Sequence, residues 1–311
     1  MEDIKEHVRG RWTSIFQHLG IDVGDGRHTE CPICGVPGNK KPFRYDDLDG
    51  SGSWICSYCG AGDGWALLMK KFSLQFPEAV KEVERVIGDC QVTKTSTETK
   101  VSPNVLRNLF QNSHPMRFGD IAAWYLQCRG LSVYPPTLLT TQKCWLPDDR
   151  SYHNAMLAIF RAQDGTAITM HRTYLNEHGE KLETIQDPKR IMPSLGKMAG
   201  GAVRLFPVTD GVLGVAEGIE TAIAAHELFG VPVWPTLTST LLADFDPPPG
   251  IKTLLIFSDN DINFTGQCAA YTLGKKIMVK PTYNIDVNVI VPPTPGDDFL
   301  DVLLKGKKQL T

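Results

Sequence analysis

The sequence predicts an α/β protein in three parts: a small N-terminal unit built on a cysteine-rich hairpin, a mixed α+β region, and a C-terminal domain with a mainly parallel sheet. Three observations predict it. Two Cys-x-x-Cys pairs fall within residues 31–59, and a polar tract, VTKTSTETKVS, follows at 92–102 with almost nothing to bury. From Gly211 onward, short β-rich runs alternate with helical segments, the rhythm of strands joined by crossover helices. The expected divisions are a ribbon domain with helices over 1–92, a linker over 93–102, the mixed region over 103–210 and the α/β domain over 211–311.

The composition bounds what such a chain can be. At 311 residues, 42% hydrophobic and 22% charged, it has enough apolar material for two or three cores, which excludes disorder and collagen-like repeats. A formal net charge of −3 argues against a polycationic protein that coats nucleic acid or membrane, though it leaves room for a local basic groove. No run approaches the roughly 18 apolar residues of a membrane helix, and MEDIKEHVRGRW lacks the apolar core of a signal peptide, so a cytoplasmic location is expected. In that reducing setting eight cysteines are not a disulfide framework, and the cluster of four asks for a metal.

Taken in order, Cys31-Pro-Ile-Cys34-Gly and Cys56-Ser-Tyr-Cys59-Gly each hold two thiolates at the spacing that lets a tight turn face one tetrahedral ion. Between them PFRY and SWIC alternate like strands and DDLDGSG supplies the turn. The pattern is that of a zinc ribbon with a closed, structural site of four thiolates. Lys40, Lys41 and Arg44, beside Phe43, Tyr45 and Trp54, combine cations for phosphate with rings that either stack on bases or pack the ribbon's core. Helical patterns follow from Trp65 to Phe72 and, opened by Pro77, through Val80, Val83, Val86 and Ile87. In the mixed region GDIAAWYLQCR reads as a helix over 119–129, 155–160 and 166–175 as strands, and NEHG at 176–179 as a hairpin turn.

In the last part, VLGVA runs into Glu217-Gly218 and TLLIF runs into Ser258-Asp259-Asn260-Asp261. Carboxyl ends of parallel strands line one crevice, so these carboxylates converge, and crowded carboxylates call for a cation. Oxygen-only ligands suit Mg²⁺ or Mn²⁺. Asp298 and Asp301, after IDVNVIV, are candidates for a second metal position; a lone Glu-Gly or Asp-Asn-Asp reads first as a helix cap or turn, but together, each at a strand end, they favour a metal site. Between Pro188 and Thr209 the cations Lys189, Arg190, Lys197 and Arg204 occur without an acid, and Gly196, Gly200 and Gly201 allow close backbone approach. With Arg172, they form a candidate track for a triphosphate or a template backbone. His171 stands near it, read as a packed or surface imidazole.

Strand-EG-helix, strand-DxD-helix and a later acidic strand end resemble the Toprim fold of bacterial-type primases, topoisomerases, some nucleases and a recombination mediator. CPICG with FRYDDLDGSGSWICSYCGAGDGWALL resembles the zinc ribbon of the alpha-type primases of phages, plasmids and other mobile elements. EGIETAIAA, the stretch through TLLIFSDND, and GDDFLDVL resemble the Toprim module of that group, and MHRTYL and GGAVRL the region before it. The resemblance covers most of the chain. It implies a DNA primase, a metal-dependent nucleotidyltransferase joining ribonucleotides on single-stranded DNA. Glu217, Asp259 and Asp261 would then be the catalytic and Mg²⁺/Mn²⁺-binding positions, with Asp298 and Asp301 as further metal-binding positions. Many relatives add a helicase domain; no G-x-x-x-x-G-K-[ST] loop occurs here, so a separate replicative helicase is the expected partner. The alternatives are a non-enzymatic recombination mediator of zinc-plus-Toprim build, and a small Toprim nuclease.

Overall fold

A computed structural model of the chain describes residues 2–35, 42–89, 103–185, 187–280 and 283–308. It divides into two compact units, 1–100 and 101–311. The expected linker, and Lys40 and Lys41, lie outside the described residues.

In the first unit, helices α1 (Glu2–His7) and α2 (Trp12–His18) precede a three-stranded antiparallel sheet of β1 (Phe43–Tyr45), β2 (Trp54–Cys56) and β3 (Gly60–Gly62), followed by α3 (Gly64–Phe72) and α4 (Phe76–Val86). Trp54 faces Tyr45 across the β1–β2 pair and Cys56 faces Phe43. Alternation sends Phe43, Tyr45, Trp54 and Cys56 inward, while Arg44 and Ile55 face out. The inner face packs on Trp12, Phe16, Leu67 and Leu68. Two tight approaches fix that packing. A Cβ on Gly64 would fall 2.1 Å from the Trp12 ring, and one on Gly52 2.6 Å from it. Helix α3 is capped by Asp63, whose carboxylate accepts from the Ala66 amide at 2.8 Å, and α4 opens with Pro77 in its first turn and a Gln75/Glu78 capping box.

The second unit begins with α5 (Pro103–Gln111), β4 (His114–Pro115) and α6 (Ile121–Cys128), then β5 (Leu139–Leu146), β6 (Ser151–Arg161), β7 (Ala167–Leu175), β8 (Lys189–Ile191) and β9 (Ala202–Val203). Strands β4 to β8 lie side by side in chain order, every pair antiparallel, and β9 pairs with β6. The β6–β7 hairpin turns at Ala162–Thr166. The turn at 176–179 expected from NEHG also forms, but it returns the chain onto an isolated bridge, Leu175 to Lys181.

The remainder is β10 (Val212–Ala216), α7 (Ile219–Phe229), β11 (Val233–Pro235), α8 (Ser239–Asp244), β12 (Thr253–Phe257), α9 (Thr265–Val279), β13 (Asp286–Ile290) and α10 (Phe299–Lys308). The sheet order is β11-β10-β12-β13, all parallel, which places every strand's carboxyl end on one edge. Leu213, Val215, Leu254 and Ile256 face a core with α8 and α9. Ala216 and Phe257 belong to a second core shared with α6, α7, β6 and α10. That shared core binds the antiparallel and parallel sheets into one unit. Among the described residues, no helix is long and apolar enough to cross a membrane.

Candidate metal centres and the acidic pocket

The first centre is in the ribbon. The Sγ atoms of Cys31, Cys34, Cys56 and Cys59 all lie within 4.8 Å of one another, with Cys31 to Cys59 at 3.8 Å and Cys34 to Cys56 at 4.0 Å. A tetrahedron with Zn–S bonds of ~2.3 Å has edges of ~3.8 Å, so the quartet fits zinc. The backbone is arranged for thiolate: the Ile33 amide points at Cys31 Sγ and the Tyr58 amide at Cys56 Sγ, each at 3.4 Å. Burial pushes the Cys31 and Cys59 thiols up, a cost that a dication among them removes. Lys70 locks the second knuckle by donating to the Cys59 carbonyl at 2.7 Å while lying over the Trp54 ring. The rings weighed as base-stacking groups are elsewhere engaged: Phe43, Tyr45 and Trp54 are 0%, 5% and 2% exposed and form the ribbon's core. Arg44 is exposed and paired with Asp46 at 2.9 Å.

The second centre lies at the carboxyl edge of the parallel sheet. A pocket of about 270 Å³ is lined by the acids Glu217, Glu220, Asp259 and Asp298 together with Arg129, His171, Lys189 and Thr221. β10 delivers Glu217, β12 delivers Asp259, and the approach to α10 delivers Asp298. Burial, then repulsion from Glu217, Asp298, Asp261 and Asp301, pushes the Asp259 carboxyl up to about 7. Burial and Asp261 push Glu217 up to about 6, and burial also raises Asp298. Asp259 Oδ1 is buried without a hydrogen-bond partner. An orphaned carboxylate oxygen amid mutually repelling acids fits a divalent cation. The acids stand more loosely than the thiols: among the described residues, the cysteine quartet is the one group of three or more such ligands whose donor atoms all lie within 4.8 Å. That spacing suits an ion that keeps waters.

Asp261 and Asp301 play partly structural roles. Asp261 Oδ2 accepts from the Gly266 amide at 2.8 Å, pinning the start of α9. Asp298 and Asp301 form a reciprocal cap on α10: Asp298 Oδ1 accepts from the Asp301 amide at 2.9 Å, and Asp301 Oδ2 from the Asp298 amide at 3.1 Å. Asp298 faces the pocket as well, whereas Asp301 is exposed and does not line it.

The basic track separates. Lys189 alone of its members lines the acidic pocket, with its ammonium 2.8 Å from the fully buried Glu220. Burial alone would raise the Glu220 carboxyl, but the Lys189 charge and hydrogen bond, with the Tyr125 hydroxyl donating to the other oxygen, outweigh it and hold the group at about 2. Arg190 is committed to Asp148 in a two-pronged pair at 2.6 and 2.8 Å. Lys197 is exposed and away from the pocket lining. Arg204 lies over Trp234 and donates to the Gln163 carbonyl, lining a separate pocket beside Gly211 and Ile251 at the amino ends of β10 and β12. Arg172 and His171 take opposite faces of β7. Neighbours on β7 face opposite sides, so Arg172 lies over Tyr174 beside Cys144 while His171 enters the pocket. His171 is 7% exposed, burial pushes it down to about 4, and its Nδ1 has no partner. Of the three glycines, Gly201 is required by packing, since a Cβ there would fall 2.3 Å from the Arg161 carbonyl oxygen, and Gly200 by its positive φ of 89°.

Arg129, Glu220 and Tyr125 were not singled out from sequence. Arg129 stands one residue beyond α6 with nothing local to mark it, and Glu220 reads as an ordinary first-turn acid of α7.

Residues 26–65 match the zinc-binding domain of primase-helicase, residues 212–308 match the Toprim domain, and residues 100–205 match a domain of unknown function, DUF7146. Among solved structures, the zinc-binding and RNA polymerase domains of the Aquifex aeolicus primase are 15% identical with a TM-score of 0.43, covering 99% of this chain and 83% of that one. The primase fragment of the bacteriophage T7 primase-helicase is 13% identical with a TM-score of 0.39, covering 91% and 96%. A DNA primase domain from Pseudomonas aeruginosa is 14% identical with a TM-score of 0.43, covering 65% and 74%. The domain assignments rest on the family matches.

Proposed function

From a chain that joins a primase-type zinc ribbon to a Toprim domain, we propose a DNA primase that makes short RNA primers on single-stranded DNA by metal-dependent nucleotidyl transfer. The observation that carries this reading is the pocket itself, in which repelling carboxylates, one with an orphaned oxygen, share the lining of a cavity of about 270 Å³ with Lys189 and Arg129. Acids hold divalent ions and cations receive phosphates, so a lining that carries both suits a nucleoside triphosphate.

A 3′-hydroxyl attacks the α-phosphate, and pyrophosphate leaves along the line of attack. When bound, Mg²⁺ or Mn²⁺ on Asp259, Asp261 and a further carboxylate supplies neutralisation of charge on the attacking and leaving oxygens. Lys189 and Arg129, in the same lining, balance the negative charge of the phosphates. Glu220 fixes the Lys189 ammonium, and Tyr125 fixes Glu220. Glu217 either helps hold metal or takes the hydroxyl proton. Zinc in the ribbon is structural, and the ribbon engages template. A separate helicase supplies translocation.

The test is to incubate the full chain with single-stranded DNA, labelled ribonucleotides and Mg²⁺ or Mn²⁺. Short oligomers support the primase reading. Strand cleavage supports a Toprim nuclease, and DNA binding with neither product supports a mediator.

A further inference from the structure

The loop that carries Asp259 and Asp261 is rigid at its base and apolar at its tip. Asn260 donates from Nδ2 to the Pro292 carbonyl at 2.8 Å and accepts from Gln267 Nε2 at 2.8 Å, while its amide donates to the Asp297 carbonyl at 2.9 Å. Gln267 Nε2 also reaches the Asp261 carbonyl at 3.0 Å, and the Phe264 amide donates to that same carbonyl at 3.0 Å. From this braced base the tip presents Ile262 and Phe264, 82% and 69% exposed.

Phe264 is locally unfavourable in two ways. It occupies the N-cap of α9 with φ at 62° and ψ at 16°, a left-handed conformation that strains a bulky side chain. Its side chain caps nothing, although Asn263, a good capping residue, stands one position earlier and accepts from the Thr265 amide at 3.2 Å. A strained ring left 69% exposed gains little packing in return, so its compensation lies in something that binds.

We propose that Phe264, with Ile262 beside it, is a stacking platform for a nucleobase held next to the acidic pocket. The proposal rests on the primase reading and extends it to how the reacting base is positioned. Phe264 stands five residues after Asp259, which lines the pocket, on the same loop between β12 and α9, so the tip belongs to the strand-end loop that supplies one of the pocket's acids. An aromatic face stacks on any base without demanding a sequence, as primer synthesis along a template requires. The base comes from the incoming nucleotide or from the template, and one set of variants separates these sources.

Phe264→Gly removes the ring and relieves the backbone. Its thermal midpoint should equal or exceed that of the wild type while kcat/KM for primer synthesis falls at least about tenfold, the order that loss of one base–aromatic stack produces. A raised KM for ribonucleotide with unchanged affinity for single-stranded DNA identifies the nucleotide base; weakened DNA affinity identifies the template base. Phe264→Trp should retain activity, and its fluorescence difference from the wild type should respond to ribonucleotide with Mg²⁺ or to single-stranded DNA. Met278→Ala, exposed at the far end of α9, is the control. Wild-type kinetics and DNA affinity in Phe264→Gly, or a midpoint that falls in step with activity, overturns the platform. An unresponsive Phe264→Trp variant overturns it even if the wild type makes no primer, an outcome that separately sinks the primase reading.

Discussion

The cysteine quartet and the acidic pocket use metal-binding residues for opposite ends. The thiols come from two turns within 29 residues, close to tetrahedral edge distance, with backbone amides already aimed at two of the sulfurs. Such a closed site makes its ion part of the fold. The carboxylates come from two strand ends and the loop that enters α10, spread over 82 residues from Glu217 to Asp298, stand farther apart, and raise one another's pKa. There the fold bears a local cost to keep charge available for something brought in. At the first site a metal would stabilise the structure; at the second, the structure is held against its own electrostatics, as the proposed chemistry requires.

Breaking each site should therefore have opposite signatures. The largest effect is expected from Asp259→Ala, which should cut primer synthesis by at least about a hundredfold, the scale on which loss of one preorganised charge-stabilising group acts, while the far-UV spectrum stays native. Near-normal primer yield from the purified variant would remove Asp259 from the site. Cys56→Ser should abolish stoichiometric zinc, normally one per chain, and melt the ribbon locally, since zinc binding worth roughly 10–16 kcal/mol is coupled to folding in such small units. Full zinc by elemental analysis in that variant would contradict a four-thiolate site.

Smaller effects sharpen the picture of the pocket's basic residues. Lys189→Met leaves Glu220 as a buried carboxylate without its cation, a change that costs on the order of 3–5 kcal/mol when a buried pair is broken, although the partial exposure of Lys189 reduces this. Glu220 is depressed to about 2, so the stability it contributes is present above its ordinary carboxylate range and lost as pH falls toward 2. The wild type's advantage over Lys189→Met should accordingly be full at neutral pH and shrink in acid, as read by denaturant melts across pH. The smallest effect is expected from Arg204→Ala. Arg204 sits at the amino edge of the parallel sheet, away from the acids, so KM for ribonucleotide should stay within about twofold, whereas Lys189→Met should raise it clearly. Equal rises from both would mean that the basic track acts as one surface.

How much of this was legible in the sequence follows the same contrast. The ribbon ligands are near neighbours, so spacing alone placed them, and Glu217 and Asp259 follow apolar runs whose ends a parallel sheet brings to one edge. Depth within a short strand was harder. Phe43, Tyr45 and Trp54 turn inward because one face of a three-residue strand must cover Trp12 and Phe16. The phase of β7 was likewise invisible: both Arg172 and His171 carry polar groups, and only pairing with β6 and β8 decides which enters the pocket. Lys189 meets Glu220 and Tyr125 only after α6, β8 and α7 have assembled, a three-element contact that no local pattern announces.

The central claim, that the acidic pocket is held at a cost to stability, is tested most directly by the thermal midpoint of metal-free wild type and Asp259→Asn across pH. A carboxyl raised to about 7 in the fold contributes stability that is present below its unfolded value near 4 and lost as pH rises through 7. The metal-free wild type should therefore weaken between about pH 4 and 7, and Asp259→Asn should melt a few degrees higher than it at pH 8, where about 1 kcal/mol moves the midpoint by ~2–4 °C. The two should converge below pH 4, and saturating Mg²⁺ should narrow the gap at pH 8 by stabilising the wild type. An Asp259→Asn variant that melts below the metal-free wild type at pH 8 would show that the carboxylate is a structural asset, and the contrast between the two centres would fail.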